Sequence, residues 1–182
     1  MKKYLFTLIG ILGLLSTTAQ IGKRFPSERK EINDPVTGHK LIFLTSTPAG
    51  DSKIYQTHNQ WTSDGQWLIF RSGRARNEAL AVNEKTGDIV QVTEGGYSGM
   101  LNVGRLSMKL YFLRYKNDKP ADTARRRPTG PLQVVEVNLA AVFEESKAGK
   151  MKSADTYQRV CGTIPDELEG GGDLALDGDE QW

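Results

Sequence analysis

A turn-and-strand unit recurs along this chain, and its spacing restricts the fold more than any other feature. The first copy reads Trp61-Thr62-Ser63-Asp64-Gly65-Gln66-Trp67-Leu68-Ile69-Phe70. Asp64-Gly65 is a tight-turn signal, and the aromatic and aliphatic run after it suits a strand. Ala79 to Val82 reads as a further strand, Glu84 to Asp88 as a turn, and Ile89 to Thr93 as a third strand. With the stretch ending at Trp61, that makes four strands joined by short connections. In the second copy, Leu106 to Leu113, Ser107 stands 43 residues after Asp64. Four-stranded propeller blades repeat at roughly 40–45 residues.

A third copy opens at Leu176-Asp177-Gly178, 70 residues after Ser107 in its register. An insertion accounts for the excess. Asn138 is placed to cap a helix from Leu139 to about Ser146, with Gly149 just past its end. Residues 118–131, with three prolines and Arg125-Arg126-Arg127, read as a loop. Leu132 to Val137 is a strand of the second copy. Gly38 to Thr45 reads as the outer strand of an earlier blade. The expected fold is all-β: a partial β-propeller of four-stranded antiparallel blades, two full and parts of two more. Propellers close with about 4–8 blades, so residues 20–182 are expected to form the N-terminal part of a propeller, truncated at its C-terminus.

The first 19 residues carry a different signal. Lys2 and Lys3 precede an apolar run from Tyr4 to Leu15, and small residues lead to a cut after Ala19. This is the pattern of a cleaved secretory signal peptide, and the run is shorter than the roughly 20 apolar residues of a membrane span. The expectation is a periplasmic or secreted protein with no stable membrane insertion after cleavage. Cys161, the only cysteine, rules out an internal disulfide, so stability must come from packing. Without Lys2 and Lys3 the chain has 22 basic and 22 acidic residues, which argues against a nucleic-acid binder. Seven of the acids lie between Gly162 and Trp182, leaving residues 20–161 with 22 bases against 15 acids. That basic body suits an anionic ligand.

The run Tyr55-Gln56-Thr57-His58-Asn59-Gln60-Trp61-Thr62-Ser63-Asp64-Gly65, supported by Thr86 to Gly95, resembles exported proteins of the oligogalacturonate lyase family. The likeness extends from about Gly22 to Trp182. These are seven-bladed propellers among the polysaccharide lyases. The resemblance implies β-elimination on short galacturonate chains in pectin breakdown. It also implies a divalent metal, manganese, that grips the uronate carboxylate in the full-length parent. The family's metal site belongs to later blades, so no metal ligand and no catalytic base is assigned within this sequence. His39 and His58 are its only histidines.

The candidate substrate-binding residues are His58, Gln60, Arg71 and Arg74. Tyr55 to Trp61 is expected as the innermost strand along the central channel. Alternation would put Gln56, His58 and Gln60 on one face, either reaching substrate or bonding neighbouring blades. Arg71, Arg74 and Arg76 follow the next strand. They are either bidentate grips on uronate carboxylates or an exposed loop. Trp61, Trp67 and Phe70 read as blade packing rather than a sugar-stacking platform. Asp177, Asp179 and Glu180 form only an incomplete calcium-loop motif. Two other functions fit the same propeller: a non-catalytic TolB-type binding or scaffold module, and the propeller part of an exported serine peptidase. No Gly-x-Ser-x-Gly elbow of a peptidase occurs in the sequence.

Overall fold

The computed structural model describes residues 20–116, 131–165, 167–168 and 174–180. Residues 1–19, where a signal peptide is expected, Arg125-Arg126-Arg127 and Trp182 lie outside the described residues. The strands are β1 (Arg24–Phe25), β2 (Lys30–Asn33), β3 (Lys40–Phe43), β4 (Ser52–Lys53), β5 (Trp67–Arg71), β6 (Ala79–Asn83) and β7 (Ile89–Gln91). They continue with β8 (Ser98–Val103), β9 (Lys109–Tyr115), β10 (Leu132–Asn138) and β11 (Gln158–Thr163). Helix α1 (Leu139–Ala148) and a 3-10 turn at Ala154–Thr156 separate the last two.

Two blades account for most of this. The first runs β4-β5-β6-β7 antiparallel, with β1 added outside β7; the second runs β8-β9-β10-β11. Within the first, the Asp-Gly turn lies where its motif predicts. Asp64 Oδ1 accepts from Gln66 N at 3.0 Å and from Thr62 Oγ1 at 2.6 Å, and Gly65 sits at φ 67°. A side chain at that φ would be strained, hence the glycine.

The blades press face to face. Ile69, Ala79, Ala81 and Val90 of the first meet Leu101, Leu110, Phe112, Val135 and Val137 of the second in one core. These residues alternate along their strands with others that point away. Ile21 is fully buried in this core, ahead of any strand. Its backbone N–H donates to Glu94 Oε2 at 2.9 Å, and the Gly22 carbonyl accepts from Ser146 Oγ at 2.6 Å.

Helix α1 follows the capping rules. The Asn138 side chain accepts from Ala141 N, and Gly149 ends the helix in the left-handed conformation at φ 65°. Its buried Leu139, Val142 and Phe143 join the core. Phe143 stacks on Trp67, with ring centroids 4.0 Å apart. The insertion in the second repeat thus includes a helix that closes one end of the seam between the blades.

Three expectations need correcting. Tyr55 to Trp61 is not a continuous strand. The chain pairs with β5 at Ser52 and Lys53, leaves the ladder, turns with His58 N donating to Tyr55 O at 3.0 Å, and returns at Gln60–Trp61. The residues between form a loop on the inner edge. Gly38 to Thr45 contributes β3, which pairs only with β2 in an exposed two-stranded ribbon. Trp67 and Phe70 pack as expected, but Trp61 is 37% exposed.

Candidate functional site

The four candidate residues occupy two ends of the blade pair. Gln60 lies beside Ile69 in the middle of β5, with His58 in the loop that leads to it; Arg71 ends that strand, and Arg74 follows it. The strand rises roughly 3.3 Å per residue, so about 13 Å of strand separates its ends. No single ligand group is gripped by all four.

At the first end the loop from Ile54 to Gln60 is tied to the neighbouring blade. Asn59 Nδ2 donates to its own loop at Trp61 O, 2.7 Å away. It also reaches the carbonyls of Val103 and Gly104 in the second blade at 3.3 and 3.4 Å. His58 meets Tyr55 edge to face, with centroids 5.5 Å apart. Gln60 serves mainly through its backbone: its carbonyl accepts from Ile69 N at 2.9 Å.

A cavity of about 120 Å³ opens beside this loop. Thr57, His58 and Asn59 form one wall, Asn102 and Arg105 another, and Asp177 with Glu180 a third. Two buried polar atoms among these residues lack any hydrogen-bond partner: His58 Nδ1 and Asn102 Nδ2. Asn102 is only 6% exposed. Buried donors and acceptors are nearly always satisfied, so these two atoms of cavity-lining residues call for a partner that the described residues do not supply. Glu180 is fixed by the backbone N–H groups of Leu106 and Ser107 and by the Ser107 hydroxyl. Burial opposes its ionisation, but those bonds outweigh it and lower its pKa. Asn59, Asn102 and Arg105 were not among the sequence candidates. Nothing in their local patterns marks them; they gather only when the loop folds onto the second blade.

At the second end, the Arg74 side chain is 8% exposed and packed with partners. Its guanidinium donates to both oxygens of Glu28, to Asp51, to the Ser72 hydroxyl at 2.7 Å and to Thr47 Oγ1 at 3.0 Å. Burial raises the Glu28 pKa, but the bonds from Arg74, Ser46 and Thr47 outweigh it and hold the carboxyl at about 2. The same carboxylates raise the Arg74 pKa against the effect of its own burial. Arg71 lies over the Tyr97 ring at 5.9 Å, and one guanidinium nitrogen is 3.8 Å from Met100 Sδ. Its Nε is buried and unpartnered. Arg76 is exposed.

A metal would need converging ligands. Among the described residues, no three His, Cys, Asp or Glu side chains gather to hold an ion. These residues therefore do not fit a manganese site, and no chemical step is derived through one. No helix among the described residues is long and apolar enough to cross a membrane.

No protein-family model matches the chain, and no curated protein matches it. Solved structures do resemble it. One is an oligogalacturonate lyase in complex with manganese, with 18% identity and a TM-score of 0.55. That match covers 81% of this chain and 32% of the other, so the chain spans about a third of the length of its solved relative. Another is an oligogalacturonate lyase from Vibrio parahaemolyticus, with 15% identity, a TM-score of 0.40, and coverage of 67% of this chain and 47% of that one. That second likeness is too loose to add to the first. Identity this low speaks to fold alone, and in fold the chain is part of a β-propeller similar to that of the manganese-bound lyase.

Proposed function

We propose that the chain is the N-terminal part of an exported, oligogalacturonate lyase-like propeller that cleaves short galacturonate chains by β-elimination. In this reading the metal, manganese, and the base that takes the C5 proton belong to blades beyond those described. The described blades supply part of the substrate mouth. His58 carries the proposal: it lies in the sequence run that resembles the lyases, and it lines a cavity at the inner edge of a propeller-like blade pair with Nδ1 unpartnered. A neutral imidazole there can donate to or accept from a sugar group. Arg71, half-buried with an unpartnered Nε, is the second contact proposed. Arg74 belongs to the proposal more weakly, since two carboxylates already occupy its guanidinium.

The test is turnover of di- and trigalacturonate by the full-length parent with manganese, followed by ultraviolet absorbance of the unsaturated uronate. Manganese-dependent formation of that product is the expected result. Saturable binding of the oligomers without product would overturn the lyase reading in favour of a binding module.

A further inference from the structure

We infer that the cavity between the loop 54–60 and residues 174–180 binds a neutral, hydroxyl-bearing edge of a sugar rather than a uronate carboxylate. The inference deepens the substrate reading of the His58 end and rests on it for the sugar class.

The argument starts from what is unpaired. Asn102 Nδ2 can only donate. His58 Nδ1 donates or accepts according to its tautomer. A sugar hydroxyl can accept from Asn102 and can pair with His58 in either tautomer, whereas a carboxylate pairs with His58 only in the tautomer protonated at Nδ1. The charges on the walls decide against the carboxylate. Asp177 and Glu180 bring two negative charges and Arg105 one positive, so the lining is net anionic. Like charge repels a carboxylate in a partly desolvated cleft more strongly than in water. The size also fits. About 120 Å³ is a few water volumes at roughly 30 Å³ each, enough for one edge of a pyranose and too small for a whole sugar. The built character of the site comes from Asn102, more than nine-tenths buried with its donor orphaned.

Isotope-labelled chain is titrated, at neutral pH, with methyl β-D-galactopyranoside and in parallel with D-galacturonate. The neutral glycoside should saturably shift the side-chain resonances of His58 and Asn102, with galacturonate roughly tenfold weaker. His58→Ala and Asn102→Ala should each weaken the glycoside roughly tenfold, the usual effect of one lost hydrogen bond. His58→Gln, which keeps a polar reach, should recover part of the loss and serves if either alanine variant misfolds. Equal or tighter binding of galacturonate overturns the inference, as does the absence of saturable shifts from either sugar in folded protein. If the parent binds the glycoside here but never cleaves di- or trigalacturonate, the lyase reading fails and the hydroxyl site stands.

Discussion

Arg74 and His58 entered as similar candidates, yet their surroundings assign them different work. The Arg74 guanidinium bridges the partly buried carboxylates of Glu28 and Asp51, and leaving such groups without their partner costs about 1–3 kcal/mol. Arg74→Ala should therefore lower the melting temperature by several degrees, as thermal unfolding monitored by circular dichroism will show. A melting point close to that of the unmodified chain would instead return Arg74 to the substrate. The pH dependence has a definite sign. The folded Glu28 carboxyl sits at about 2, below its ordinary 4.5. Its contribution to stability is thus fully present above pH 4.5 and drains away as pH falls from 4.5 towards 2. Acid should destabilise the unmodified chain across that interval, and Arg74→Ala less steeply. His58→Ala in the parent should behave in the opposite way, with a nearly unchanged melting point and kcat/KM reduced roughly 2- to 12-fold by the loss of one neutral hydrogen bond, about 0.5–1.5 kcal/mol. Unchanged kinetics with a lowered melting point would make His58 structural. The sequence reading put His58 on the blade's inner strand and the arginines after the next one. It concealed their partners, because Glu28 lies 46 residues from Arg74 and Asn102 comes from another blade.

At the scale of elements, α1 was legible to its caps because a cap is a local device: one side chain before the first turn and one left-handed residue after the last. Asn138→Ala should cost about 1 kcal/mol, read as a shift in the denaturation midpoint at constant slope. Phe143→Ala should cost more, about 3–5 kcal/mol, since it also removes the stack on Trp67 that joins helix to blade. An equal cost for the two would mean that the stack contributes nothing. The loop 54–60 was misread for a physical reason. Its place just ahead of the Asp64-Gly65 turn is that of a blade's inner strand, while the turn that breaks the strand is held by a backbone bond from His58 to Tyr55 that no side chain announces. Strand β11 was missed because Gln158 to Thr163 is mostly polar, with only Val160 and Cys161 to mark it, and follows an insertion that broke the repeat.

Across the whole molecule, the two blades share one core, while the ribbon β2–β3 holds Ile32, Leu41, Ile42 and Phe43 between 40 and 46% exposed. The repeat spacing foretold the two blades but not the separate ribbon, where the outer strand of an earlier blade was expected. Nor did it foretell that residues 20–25 would be held by both the first blade and helix α1. Ile21→Ala should cost about 2–5 kcal/mol, the range for emptying a fully buried aliphatic site, and should loosen both blades together in hydrogen exchange. Loss of protection in the first blade alone would show that Ile21 is not shared. The bond from Ser146 to Gly22 joins positions 124 residues apart. Synthesis delivers Ile21 well before its partners: Glu94 comes 73 residues later and Ser146 later still. Contacts over such spans form slowly, so Ile21 stays uncovered until the first blade has been made and is sealed only when helix α1 arrives.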